Sequence, residues 1–438
     1  MPTAILRNFF HPTRHSWTRQ SWEGGYRVCQ YDNATGYLQE CVEFRTDGTR
    51  PDAGKGTAVS RVALRYNPQG QRLQESIFGP QDKKLYEVNF HYSIAGRLLS
   101  VRDSEDAHLR YRYNAAVRLD YVRDNHMEIR FDYDHFDRLA RRQVRLPGQE
   151  NLSTQWLYDG FNRPVNLIIT RQGVAQAPME LIISQQFNSL DQIVKRTLRH
   201  RRDGRTLRRN ESYVYNARGC LTACRYAGDQ PLLATVDGRF EHVIAETFAW
   251  DGLNNLTEAT VSYAQPTLSG YPSEQTIRYD YDNPDYPTLR TRIQYGGADA
   301  RCVELVYDPD GRLIFDGHRL HYKYDPLGRL HSVKADGHPE TIYRYDALNR
   351  LQGQSGEGPT SLRFYHGHRL AHMLFSGPGK PQEGIDRVSY VHAAGLAAVK
   401  TRSAATLTVA LTATDLLGSL LQYDSRPPLH YLAWGAVR

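Results

Sequence analysis

The feature that most constrains this chain is a short motif that recurs along nearly its whole length. It is seen in YNPQGQRL from Tyr66, YSIAGRLL from Tyr92, YNAAVRLD from Tyr113, YDHFDRLA from Tyr133 and YDGFNRPV from Tyr158. YNARGCLT from Tyr215 and YDPDGRLI from Tyr307 follow, and YDPLGRLH from Tyr324 and YDALNRLQ from Tyr345 are the clearest copies. Weaker copies start at Tyr31, Phe187, Trp250, Tyr281 and Tyr365. The shared order is aromatic, Asp or Asn, two or three variable residues, Gly, Asn or Asp, then Arg and Leu. Tyr92, Tyr113 and Tyr133 are 21 and 20 residues apart, and Tyr307, Tyr324, Tyr345 and Tyr365 are 17, 21 and 20 apart. A fixed period of this kind marks a repeat architecture. The 438 residues are therefore not to be divided into two or three ordinary domains.

Each motif position has a physical reason. The aromatics Tyr307, Tyr324 and Tyr345 end a strand and bury a ring. Asp308, Asp325 and Asp346 follow because a short carboxylate bonds the backbone ahead and starts a turn. Gly311, Gly328 and Asn349 are of the types that accept a positive φ. Arg312, Arg329 and Arg350 open the returning strand, with the next Leu on the opposite face. YKYD, from Tyr322, and YRYD, from Tyr343, alternate with period two before the turn, which is the strand signature. Twenty residues thus make two strands and two turns. A lone hairpin is marginal in water, so the copies are expected to lie side by side in one sheet.

Composition agrees. Tyr supplies 29 residues against 14 Phe and 5 Trp, and Gly and Pro contribute 34 and 21. The expectation is an almost all-β chain from about Tyr26 onward; residues 404 to 411 could tempt a helix reading, but the β-branched Thr406, Thr408 and Val409 suit a strand equally well. No run approaches the roughly 18 apolar residues of a membrane helix. Residues 1 to 15 read as a poor secretory signal. Five cysteines (Cys29, Cys41, Cys220, Cys224, Cys302) at irregular spacing suggest no disulfide framework, and Cys220 and Cys224 read as two buried thiols.

The motif resembles the tyrosine–aspartate (YD, or RHS) repeat of bacterial RHS proteins, the C components of Tc toxins and animal teneurins. The resemblance runs from about Tyr26 to Tyr390 and rests on about a dozen copies. It implies an all-β fold of tandem hairpins in a long curled or spiralling antiparallel sheet, forming a partial or complete shell. Residues 1–25 are expected to cap or plug the first strand, 26–413 to form the shell, and 414–438 to begin a core-end segment. Asp415, Leu416, Gly418 and Ser419 match the opening of that segment, and Tyr431 and Gly435 its next part. The aspartate self-cleavage motif and variable toxin domain of the family are not found, so a truncated or orphan shell, a shell half needing a partner, or a fragment is expected. DPLG, from Asp325, superficially resembles the cleavage signal but sits inside an ordinary repeat.

Chemistry stands out little against this background. The His318/His321 and His366/His368 pairs fall in two copies of one repeat variant and read as surface histidines rather than metal ligands. GQSGEG, from Gly353, misses the G-x-S-x-G pattern and reads as a flexible loop. The net charge of +7 follows from the motif's own arginines, which are expected to pair with turn carboxylates or stack on neighbouring Tyr rings, so nucleic acid is not indicated. One basic run, from Lys195 to Arg209, has Asp203-Gly204 at its centre and reads as a long hairpin. Arg199, Arg201, Arg202, Arg205, Arg208 and Arg209 are the candidate anion-binding residues, with a solvated hairpin tip as the plain alternative.

Relatives' shells enclose a toxic polypeptide, so the resemblance implies a non-catalytic container. Its partners are expected to be a toxin or effector polypeptide and a second shell protein. A cell-surface adhesion or carbohydrate-binding scaffold with a glycan partner is the alternative, and an enzyme ranks lowest. No cofactor is implied. The expected location is the bacterial cytoplasm before specialised export, or outside the cell.

Overall fold

The computed structural model describes residues 7–10, 17–46, 56–173, 178–202, 204–236, 239–264, 273–296, 300–356, 358–377, 385–404, 406–415 and 419–423. Among them are thirty-six β-strands, and the one helical element is the 3-10 turn Pro80–Asp82. The strand pairings among the described residues are antiparallel. Residues Thr406–Thr414 are strand, as β-branching suggests. The basis is alternation: Thr57–Tyr66 buries Ser60, Val62 and Leu64 while the residues between them face outward.

The chain forms two compact units. Unit one comprises residues 1–126, 319–392 and 399–409. Its first ladder runs hairpin by hairpin from Arg7–Phe10 through Trp17–Trp22 and Gly25–Tyr31 to Leu38–Arg45, then Thr57–Tyr66 and Arg72–Phe78. It continues through Lys84–Tyr92, Leu98–Asp103, His108–Tyr113 and Leu119–Arg123. The second ladder runs from Leu320–Tyr324 to Ile385–His392. The two layers meet through specific contacts. The Ala347 amide donates to Ser60 Oγ at 3.1 Å, Arg350 Nη2 meets Glu75 Oε1 at 2.5 Å, and Tyr86 stacks on Phe364 at 4.6 Å.

Unit two comprises residues 127–318, 393–398 and 410–438. Its ladder runs from Glu128–Tyr133 to Arg301–Glu304 by successive hairpins. The buried Arg142 joins the turn at 393–396 to this ladder.

One turn geometry explains the motif. In Asp308–Arg312, Asp308 Oδ1 accepts the amides of Asp310 and Arg312, at 3.0 and 2.9 Å. Its Oδ2 accepts Arg312 Nε at 2.6 Å. The same Arg–Asp clasp closes the turns at Asp134, Asp159, Asp325 and Asp346, at 2.6 to 2.7 Å. The fifth motif position has positive φ, +77° at Gly311 and +65° at Asn349. The aromatic then locks one hairpin to the last. Tyr345 Oη donates to Leu330 O at 2.8 Å, Tyr158 to Leu139 O at 2.9 Å and Tyr365 to Leu351 O at 2.7 Å. In each case the acceptor is the motif leucine of the preceding copy. The motif arginine lies over the next ring, as Arg329 does over Tyr345 and Arg138 over Tyr158, with guanidinium carbon to centroid distances of 4.9 and 4.4 Å. Hydroxyl and guanidinium are thus both used between copies, which is why Tyr and Arg are so abundant.

Val117 breaks the grammar. It holds the positive-φ position at +70°, where a β-branched residue is strained, and its side chain is half exposed. Replacing Val117 with Asn, a residue tolerant of that conformation, is expected to raise stability by about 0.5–1 kcal/mol, read as an increased urea midpoint.

Cys29 and Cys41 face each other across the Gly25–Tyr31/Leu38–Arg45 ladder and form a buried disulfide, with Cα atoms 4.2 Å apart. This corrects the expectation of free thiols throughout; the pairing follows from hairpin register, not from cysteine count. Cys224 is a buried free thiol, but Cys220 is only half-buried and Cys302 is exposed. The G-x-S-x-G-like segment is also partly corrected, because its first half lies in strand Leu351–Ser355.

Candidate functional site

Asp103 begins a turn like those of the motif, with one substitution in it. Its Oδ1 accepts the amides of Glu105 and Ala107, both at 2.9 Å, and Asp106 holds the positive-φ position at +62°. The position of the motif arginine is Ala107. Oδ2, which accepts an arginine Nε in the five clasped motif turns, here takes other donors.

Those donors come from the second ladder of unit one. His366 occupies the Asp slot of the Tyr365 copy, whose turn is short, with Gly367 at φ +66°. No five-residue turn claims its side chain. His372 lies on the returning strand opposite Phe364. Phe364 and His366 are two apart on one strand, so both histidines share a face. His366 Nε2 lies 2.9 Å and His372 Nε2 2.7 Å from Asp103 Oδ2. The Tyr86 hydroxyl donates to the same oxygen at 2.8 Å and sits 2.9 Å from His366 Nε2. His372 Nδ1 is 2.8 Å from Ser389 Oγ.

Burial opposes ionisation of Asp103, yet hydrogen bonds from His366 and His372 hold its carboxyl well below the usual range. Burial, with the Asp103 charge beside it, pushes the Tyr86 phenol well above its usual value. The carboxylate is thus a buried anion, and the phenol stays protonated as a donor.

Both histidines line a cavity of about 350 Å³. Across it, Lys400 pairs with Asp124, and Arg387 meets Glu105 at 2.9 Å. The chain Ser389–His372–Asp103 has the hydrogen-bond order of a serine hydrolase triad. Ser389 lies within strand Ile385–His392, however, and not on the sharp turn that presents a nucleophilic serine. The better chemical description is two imidazole nitrogens and one carboxylate oxygen converging, all within 4.8 Å of one another.

This corrects the sequence reading of His366 as a surface residue; its partners are His372 and Asp103, not the exposed His368. His318 and His321 are exposed, as expected. The visible signal for the site was the histidine in the Asp slot of the Tyr365 copy; Asp103 lies between the Tyr92 and Tyr113 copies and carries no motif signal.

The basic hairpin is real: Ile193–Arg202 pairs with Arg205–Tyr215, and Arg199 stands opposite Arg208. Arg199, Arg201, Arg205 and Arg208 are exposed, while Asp203 and the side chain of Arg202 lie outside the described residues. Arg209 does not belong with them. It is 1% exposed on the opposite face, with Nε 2.8 Å from Glu211 Oε1. Of the core-end residues, Asp415 and Ser419 are hydrogen-bonded, the Ser419 amide donating to Asp415 Oδ1 at 2.8 Å. Leu416, Gly418, Tyr431 and Gly435 lie outside the described residues.

No family model matches the chain, and no curated protein sequence matches it. Solved structures do. The chain superposes on TcdB2-TccC3 with a TM-score of 0.65 at 15% identity, over 99% of its own length and 24% of that chain. TcdB2-TccC3 without its hypervariable C-terminal region gives 0.62 at 15% identity, with the same coverages. The Tc holotoxin pore of Photorhabdus luminescens gives 0.60 at 15% identity, over 99% and 23%. The chain therefore shares their fold and spans about a quarter of the length of the chains it matches.

Proposed function

We propose that this chain is a YD/RHS-type repeat wall of a toxin-encapsulating container, non-catalytic itself, whose partners are a toxin or effector polypeptide and a second shell protein. The reading rests on one observation: 99% of the chain follows the fold of TcdB2-TccC3, a Tc toxin assembly. The inter-copy locks of tyrosine hydroxyl and arginine support it, because they give a wall of any length without a separate core for each hairpin. A row of apolar turn tips in unit two also supports it. Phe136, Phe161, Leu190 and Leu253 stand at the same position of four turns and are 65%, 80%, 74% and 58% exposed. Such a row suits contact with an incompletely folded polypeptide. On this reading the protein acts in the bacterial cytoplasm before export, or after secretion.

The test co-expresses the full chain with the polypeptide encoded beside it and follows trypsin digestion of both. Guest fragments are expected to survive while the wall is folded and to be cut once it is unfolded in urea. Serine at Phe136, Phe161, Leu190 and Leu253 is expected to reduce retained guest without lowering the wall's urea midpoint. A guest digested as fast with the folded wall as without it overturns the reading.

A further inference from the structure

We propose that Asp103, His366 and His372 form a binding site for one divalent transition-metal ion of the zinc class. In five other turns the second carboxylate oxygen is neutralised by a motif arginine. At Asp103 that cation is replaced by Ala107, and two imidazole nitrogens take its place. Zinc-class ions are bound at about 2.0–2.2 Å by such nitrogen and oxygen donors. Tetrahedral ligands then lie roughly 3.3 Å apart. The two nitrogen-to-oxygen separations, 2.7 and 2.9 Å, must open by about half an ångström, and all three atoms already lie within 4.8 Å of one another.

The surroundings are those of a ligand set held in place. Asp103 Oδ1 is fixed by two backbone amides, which leaves Oδ2 as the ligand atom. On metal binding the Nε2–H that now faces Asp103 would give way to the Nε2 lone pair, the His372 proton being held on Nδ1, 2.8 Å from Ser389 Oγ as acceptor. The Tyr86 ring, stacked on Phe364, walls one side. The adjoining cavity admits a water as fourth ligand. Because Asp103 belongs to the first ladder and the histidines to the second, bound metal would staple together two parts of unit one that are more than 260 residues apart.

The full-length chain, stripped with chelator and dialysed, is titrated with Co²⁺ and then with Zn²⁺. One Co²⁺ per chain, with the intense visible absorption of four-coordinate cobalt, lost on adding one Zn²⁺, is the expected result. His366→Gln, in which the more exposed of the two rings is changed, is expected to abolish the spectrum. Ser389→Ala is expected to weaken binding about 10–100-fold. Circular dichroism confirms that each variant is folded. Absence of saturable cobalt binding by the folded wild-type chain overturns the proposal, and that measurement needs no variant. An unchanged spectrum in a His366→Gln/His372→Gln double variant also overturns it.

Discussion

Replacing Glu211 with Ala is expected to cost about 3–5 kcal/mol of stability. Glu211 is 2% exposed. Its Oε1 accepts Arg209 Nε at 2.8 Å, and its Oε2 accepts Arg196 Nε at 2.6 Å and the Tyr213 hydroxyl at 2.5 Å. Removing the carboxylate leaves Arg209, itself 1% exposed, as a buried charge without its anion. Arg196 keeps a quarter of its side-chain surface in contact with solvent and can turn outward. The double variant Glu211→Leu/Arg209→Met is therefore expected to regain most of the loss, since two apolar groups need no partner. Urea unfolding of the single and double variants checks both statements; a single variant within 1 kcal/mol of the parent (about a fivefold change in equilibrium constant) would contradict them.

The same group predicts a pH dependence. Burial raises the Glu211 pKa, but Arg196 and Arg209 outweigh it and hold the carboxyl below its ordinary value. A group depressed in the folded state binds fewer protons there than in the unfolded chain. Its contribution is present in full above about pH 4.3, the unfolded value, and is lost as pH falls through the lower folded value. Parent and Glu211→Ala curves should converge in acid and separate above that pH.

The repeat grammar was legible in the sequence because its causes are local. Asp and Arg four apart clasp one turn, glycine or asparagine supplies the positive φ, and period-two alternation sets the faces. The fold class follows from those units alone. Where the reading failed, a neighbour across the ladder or from the other layer decided the outcome. The basic run from Lys195 was read as one charged surface, yet strand alternation places Arg208 and Arg209 on opposite faces, and Glu211 claims the second. Cysteine counting missed that positions 29 and 41 stand opposite each other once the hairpin register is fixed. The Asp103 site needed more than alternation. His366 in an aspartate slot is visible as an exception, whereas Asp103, preceded by Arg102 and not by an aromatic, lies between two copies of the motif and is marked by nothing in it. That the histidine meets Asp103, 263 residues away, is a fact of layer packing and has no local signature.

Arg142 shows how far such packing goes, and changing it to Ala is expected to cost about as much as the loss of Glu211. Arg142 is 1% exposed, and burial pushes its pKa down to about 10. Backbone carbonyls hold it instead: Nη1 donates to Ala393 O at 3.2 Å and Ala394 O at 2.9 Å, and Nη2 reaches Thr412 O at 3.4 Å. Ala394 has φ +49°, a left-handed conformation unusual for a residue with a Cβ, so the arginine helps fix a turn that its own sequence does not favour. Hydrogen bonds to a charged donor contribute about 1.5–3 kcal/mol each, and truncation leaves the acceptors dry and unpaired. Arg142→Ala is therefore expected to lose about 3–5 kcal/mol and, in hydrogen exchange, to deprotect the amides of residues 393–396 and 410–414 before the rest of unit two. Arg142→Lys should recover only part of this, because one ammonium cannot span the turn and Thr412 together. Uniform deprotection across unit two, with no early opening at those two segments, would show that the arginine contributes bulk rather than these bonds.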